Sequence, residues 1–366
     1  MARGKTVDSL FLTIVVILLG VGMLIFISAS LGLLAHATGA TFSSVVLKQI
    51  LAVGLGCLIA YGASKIRYTF WRKWSFFIFL ASVLVTLLVF VPHIGLEFGG
   101  GRRWIGIGPL SFQPSEFLKI GFVMYCAAWL SSVRDRVTTL KKGLLPVLAM
   151  LAVAGAILLK QPDTDTFVSI FLAGMGMFVV AGGKFRHLFV VVLFAALAFA
   201  GLVFMRPYLM ERITTFLDPA ADPLGSGYQI QQSLIAVGSG ELFGRGFGQS
   251  IQKFSYLPEP IGDSIFAVAA EEFGFVGGVS LIFLFLLFTL RSFKIASKAP
   301  DSFGGLLTVG IVILIVAGSF MNIASMLGLM PLSGLPLLFV SHGGSAMFFA
   351  LFQIGIILNV SKFRRR

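Results

Sequence analysis

Apolar residues run through this chain in long blocks, separated by short clusters of polar and charged ones. A helix needs roughly 20 mostly apolar residues to cross the hydrocarbon core of a bilayer. Ten blocks meet that need: Leu10 to Ser30, Val46 to Ser64, Ser75 to Val91, Phe117 to Ser132, Leu144 to Leu159, Phe167 to Gly182, Leu188 to Met205, Phe273 to Leu290, Leu306 to Asn322 and Ala346 to Val360. The pattern therefore predicts an all-α polytopic membrane protein. Arg3 and Lys5 precede the first block and Ala35-His36-Ala37 resembles a cleavage site, yet the block is too long for a signal-peptide core and is read as a retained span. The stretch from Arg206 to Gly262, between spans seven and eight, holds no span. Within it Ile230, Leu234 and Val237 fall at i, i+4 and i+7, which predicts a short helix in the headgroup layer. No internal repeat interrupts the chain, so residues 1–366 read as one membrane domain.

Composition agrees: 57% of residues are hydrophobic, 12% are charged and the mean hydropathy is +0.98. The net charge of +13 comes from clusters between apolar blocks rather than from one basic face, which argues against nucleic acid. Cys57 and Cys126 both lie inside apolar blocks, so no disulfide framework or metal-type cysteine spacing exists. Charge also sets orientation. With both termini placed in the cytoplasm, 19 of the 28 Lys and Arg fall inside, but only Asp8, Asp135 and Asp301 of the 15 acids do. The remaining acids gather outside, together with the 206–262 loop, and the chemistry is expected there.

No Gly-rich loop ends in Gly-Lys-Ser/Thr and no HExxH is present, so a nucleotide-driven pump is disfavoured. The outer loop after span three reads Gly99-Gly100-Gly101-Arg102-Arg103-Trp104, then Gln113-Pro114-Ser115-Glu116 and Lys119. Paired guanidinium forks suit phosphate oxygens, although Arg and Trp also anchor chains at membrane interfaces. Glu116 and Lys119 stand at i, i+3 and can pair on one helix face. In Lys160-Gln161-Pro162-Asp163-Thr164-Asp165, both acids can be solvated, or Asp163 can brace an arginine or hold a metal ion. Tyr256-Leu257-Pro258-Glu259-Pro260-Ile261-Gly262-Asp263 holds an extended segment ahead of span eight, where Asp263 can cap the helix or act as a general base. Ser341-His342-Gly343-Gly344-Ser345 permits close helix approach or a turn that lines a cavity.

These stretches, in this order, resemble the SEDS family, the FtsW/RodA/SpoVE group of bacterial cell-wall proteins. The resemblance rests on Gly101-Arg102-Arg103-Trp104-Ile105, Gln113 to Glu116, Gly225-Ser226-Gly227-Tyr228-Gln229, Leu257 to Ala267 and Ser341 to Ser345. Gln231-Gln232-Ser233-Leu234 and Gln249-Ser250-Ile251-Gln252-Lys253 resemble the cell-division branch. There are departures: His342 replaces a usual Tyr, Ile261-Gly262 a common His-Thr, and Gly101 a usual Ala. The resemblance implies a glycosyltransferase that polymerises lipid II in the cytoplasmic membrane, with Asp263 as the general base. Substrate contacts are implied for Arg102, Arg103, Trp104, Gln113, Ser115, Glu116, Lys119, Asp163, Gln229, Lys253, Pro258, Glu259, Ser341 and Ser345. A divalent cation, Mg or Mn, is an expected helper. The implied partners are a class B penicillin-binding protein of the FtsI transpeptidase type and other division proteins. A lipid II flippase, an elongation-type polymerase and a non-catalytic scaffold are the rival readings.

Overall fold

The computed structural model describes residues 6–35, 42–98, 101–107, 110–133 and 136–364. Arg3, Lys5, Arg134, Asp135, Arg365 and Arg366 of the inner charge tally, His36 and Ala37 of the cleavage-like site, and Gly99 and Gly100 lie outside the described residues. The helices are α1 (Ser9–Ser30), α2 (Phe42–Lys65), α3 (Tyr68–Leu87), α4 (Pro114–Val133), α5 (Leu145–Lys160), α6 (Thr164–Val180), α7 (Phe185–Met205), α8 (Pro207–Leu217), α9 (Tyr228–Ser239), α10 (Gln252–Ser255), α11 (Ile265–Ser297), α12 (Ser302–Met326) and α13 (Gly344–Lys362). Among the described residues nine helices are long and apolar enough to cross a membrane, and α6, with 17 residues, is a shorter apolar tenth. All ten coincide with the blocks in the sequence.

Burial follows composition. Helix α12 packs against α4, α6 and α11, and α13 against α2, so both are apolar on every side. Helix α7 buries only Val191 and Val203 and turns the rest of its surface outward, as a lipid-facing helix does. At one end of the bundle the Asp8 carboxylate accepts from Phe11 N–H at 3.0 Å, which starts α1, and from Arg291 at 2.9 and 2.8 Å. Arg364 joins it, so a single buried acid clasps α1, the end of α11 and the residue beyond α13. Burial raises the proton affinity of Asp8, but hydrogen bonds from Arg291 and Phe11 and the charges of Arg291 and Arg364 outweigh it and hold the group below its ordinary value.

Two elements were not anticipated from the pattern, and an expected one is packed on the bundle. The loop after α3 is a three-stranded antiparallel sheet, β1 (Gly95–Phe98), β2 (Gly101–Ile107) and β3 (Leu110–Phe112). Ile105 on its central strand stands opposite both Gly95 and Phe112. Strands this short, interrupted by glycines, show too little alternation to announce themselves. Helix α8 begins at Pro207, a residue suited to the first helical position. Helix α9 is the helix expected at 230–237; it packs on α11 and α12 with Ile230 buried and leaves Leu234 and Ile235 exposed.

Helix α11 is broken at Gly274, whose φ of 65° is open to glycine. At membrane depth the freed backbone groups need partners. The 241–246 segment supplies them: Arg245 N–H and Gly246 N–H donate to Glu271 O and Glu272 O at 3.0 Å each, and Phe275 N–H and Val276 N–H donate to Glu241 O and Leu242 O at 2.8 and 3.1 Å. The two glutamates before the break are buried. Glu271 accepts from Ser250 Oγ at 2.5 Å and from Ile251 N–H at 3.0 Å, while Glu272 pairs with Lys253 Nζ at 2.6 Å.

Candidate active site

The 258–263 segment lies at the opposite end of the bundle from Asp8, where α6 and α11 begin. Its turn is tied by Gly262 N–H and Ser264 N–H, which donate to Glu259 O at 3.0 and 3.2 Å. Side chains from α12, α9 and the turn at 341 then hold the segment around Asp263. Asn322 on α12 donates to Asp263 O at 2.7 Å, Ser341 Oγ donates to Gly262 O at 2.8 Å, and Gln229 on α9 donates to Ser264 Oγ at 3.0 Å. His342 N–H donates to Ile261 O at 2.7 Å, and the His342 ring stacks on Phe26, a contact the aromatic ring of a tyrosine could also make. Ser264 is the N-cap of α11, which has no side-chain capping bond, so the Asp263 carboxylate is not spent on the helix terminus.

That carboxylate instead faces charge. Burial, with Glu259 and Asp165 nearby, pushes its pKa from 3.8 up to about 6, and Arg212 and Arg103 oppose the rise only in part. A carboxylate with such an affinity is a stronger base than an ordinary one, and it is still mostly ionised at neutral pH. Arg103 and Arg212 also line a cavity of about 360 Å³, walled by Tyr208, Glu211, Thr215 and Ser226. Arg103 is aimed there by Gln161 O at 3.2 Å and by Pro162 O, both in the α5–α6 connection. A methyl on Gly101 would stand 3.0 Å from Arg103 Nε, so glycine at that position lets the arginine fold back.

The other sequence candidates divide. Arg103, Glu259 and Asp263 come together, with Ser341 on the Gly262 carbonyl, Gln229 on the Ser264 hydroxyl and Pro258 in the same segment. Arg102 points elsewhere, to Glu97 on β1 at 3.3 Å, and half of its side chain is exposed. Trp104 is half-buried in β2 opposite Leu96. Gln113 leads into α4, its carbonyl accepting from Glu116 N–H at 3.2 Å. Glu116 and Lys119 form the expected pair at 2.8 Å, buried within the bundle. Lys253 is wholly buried against Glu272 and Ser28, so its charge serves the fold rather than a ligand. Asp163 caps α6 through Thr166 N–H and, among the described residues, braces no arginine; Asp165 does that. Ser115 and Ser345 are buried with hydroxyls that find no partner among the described residues.

Sequence reasoning left Asp165 as a solvated loop acid and gave Arg212 and Asn322 no role. A signal for α8 exists, since Tyr208, Glu211, Arg212 and Thr215 fall at i, i+3, i+4 and i+7 and form the polar stripe that walls the cavity. Asn322 is an amide inside an apolar block, which in a membrane points to a buried partner. A larger cavity of about 1110 Å³ opens at the other end of the bundle, near Gly182 and Ser297, but its carboxylate, Asp301, is engaged in capping α12 through Gly304 N–H. Among the described residues no three His, Cys, Asp or Glu side chains converge to hold a metal ion, so the expected cation gains no donor set here.

A polytopic bundle with a desolvated acid near two arginines that line a cavity is a membrane protein whose ionisable groups mark a functional site. The family model for FtsW, RodA and SpoVE, described as cell cycle protein, matches residues 8–366, and the chain belongs to that family. It is 38% identical to stage V sporulation protein E of Bacillus subtilis over the whole of both chains. It is also 38% identical to the "probable peptidoglycan glycosyltransferase FtsW" of Geobacter sp., over 99% of this chain and 98% of the other. Its fold is similar to the rod shape determining protein RodA of Thermus thermophilus, at TM-score 0.72, 25% identity and 98% coverage of each chain. A chain from "Structural coordination of polymerization and crosslinking by a peptidoglycan synthase complex" aligns at TM-score 0.80 with 28% identity and 97% of each chain covered.

Proposed function

We propose that the protein polymerises lipid II into glycan strands on the outer face of the cytoplasmic membrane. The observation that carries this reading is Asp263, a clamped carboxylate raised to about 6 beside Arg103 and Arg212. The acceptor sugar's 4-hydroxyl attacks the anomeric carbon of the growing chain. Asp263 takes the hydroxyl proton as the new C–O bond forms, and the lipid pyrophosphate departs with the electron pair of the broken bond. Pyrophosphate is a good leaving group and needs cationic charge rather than a general acid, which the two arginines supply. Arg212 thus takes the place first given to Arg102. Outward orientation rests on the positive-inside count, and a groove open to lipid suits two lipid-tailed substrates.

Relatives named probable peptidoglycan glycosyltransferase FtsW support the reaction class, and similarity to a chain of a peptidoglycan synthase complex supports a partner, for which septal synthesis with an FtsI-type transpeptidase is our reading. The decisive test is lipid II polymerisation by the reconstituted protein and its partner, wild type against Asp263→Asn. Loss of a positioned base lowers the rate by about 10² to 10⁴. Glycan made by the variant at the wild-type rate would remove Asp263 from the chemistry. Transbilayer movement of lipid II without polymerisation in the wild type would favour the flippase.

A further inference from the structure

Thr164 and Asp165 open α6, while Tyr208 and Arg212 stand one turn apart on α8. Thr164 Oγ1 and the Tyr208 hydroxyl are 2.8 Å apart, and Arg212 Nη1 donates to Asp165 Oδ2 at 3.0 Å. The same oxygen accepts from Gly334 N–H at 3.0 Å. A Cβ placed on Gly334 would stand 3.9 Å from Asp165 Oδ2 and 4.0 Å from Asp263 Oδ2, so both carboxylates border one point. Helix α8 forms one wall of the cavity and follows α7, which is itself barely buried. Beside the buried Leu209, α8 is held by polar contacts: the two to α6, and Thr215 Oγ1 to Ser226 Oγ at 2.9 Å.

We propose that Asp165 is a positioning residue of this site, which ties Arg212 and the α8 wall to α6 and the Gly334 loop. This rests on the polymerase reading above. Arg212 can grip the departing pyrophosphate only while it is held over the cavity. Asp165 and Arg212 both act on Asp263, with opposite signs. The groups facing Asp263 are Glu259 from its own segment, Asp165 from α6, Arg212 from α8 and Arg103 from β2.

The test compares Asp165→Asn, Asp165→Glu and Arg212→Gln in the full-length protein with its partner, by amide hydrogen exchange and by the pH profile of lipid II polymerisation. In Asp165→Asn the α8 amides exchange about tenfold faster while those of α12 do not change. kcat/KM for lipid II falls about tenfold, with a fall in kcat because the displaced cation acts on the departing pyrophosphate. The acid limb of the rate moves to lower pH in Asp165→Asn and to higher pH in Arg212→Gln, whereas Asp165→Glu stays near wild type. A merely structural tether would loosen α8 in both neutral variants without moving the limbs in opposite directions. Unchanged α8 exchange in Asp165→Asn, or limbs that move together, overturns the proposal. A wild type that makes no glycan sinks the polymerase reading instead, and the exchange measurement still decides the tether.

Discussion

Asp263 shows how a single side chain acquires its chemistry from its surroundings. In water its carboxylate has an ordinary affinity for protons; here burial, Glu259 and Asp165 lift it to about 6. Because the base must be ionised, polymerisation should fall as pH drops through about 6 and level off above it. Glu259→Gln removes a charge that raises the value, so its acid limb should shift to lower pH; a rate profile with an unmoved limb would show that Glu259 does not reach the base. The same lift has a cost in stability. A pKa raised on folding from 3.8 to about 6 favours the folded state most below 3.8, and the benefit is lost as pH rises through about 6. At neutral pH the ionised group therefore costs up to about 3 kcal/mol. Asp263→Asn should melt higher than wild type in detergent at neutral pH while it loses activity, and a lower melting temperature would contradict the penalty.

At the scale of an element, the break in α11 is held by both backbone and charge. A Cβ on Gly274 would lie 2.3 Å from Gly244 N, and the residue sits at φ 65°, so Gly274→Ala meets both a clash and backbone strain. Strain of this kind costs on the order of 1–3 kcal/mol before the clash is counted. A thermal melt of Gly274→Ala should show a clear drop, and an unaltered melt would mean that the 241–246 segment yields easily. Lys253→Met leaves Glu272 buried and unpaired, a loss of about 3–5 kcal/mol, whereas Lys253→Met with Glu272→Leu should recover most of it. Equal loss in the single and double variants would place the effect in packing rather than in charge. The pair lies in the interior, so neither measurement depends on the polymerase reading.

For the whole molecule, charge divides between the two ends of the bundle. Asp8 gathers Arg291 and Arg364 at one end, while Asp165 and Asp263 meet Arg103 and Arg212 at the other. Asp8 has its pKa lowered on folding, so it stabilises the fold above about 3.8, and that contribution fades as pH falls through its folded value. Asp8→Asn should consequently lower the melting temperature at neutral pH and bring it closer to wild type in strong acid. A constant difference across that range would remove ionisation from the explanation. The spans, the i, i+3 pair of Glu116 and Lys119 and the place of Asp263 at the start of a span were all written along the chain, because hydrocarbon demands long apolar helices and ionisable groups at their depth are few. What the chain could not display is which residues from distant segments meet. Asp163 and Asp165 sit two positions apart with the same chemistry, yet one caps α6 and the other holds Arg212, because helix geometry turns their side chains in different directions. Arg102 and Arg103 are neighbours, but alternation along β2 sends one to Glu97 and the other to the cavity. Sequence alone determined the solvent, the spans and the acid most worth testing; the packing of α6, α8 and α12 around it decided its partners, because proximity in a folded bundle depends on how helices are juxtaposed and not on their order along the chain.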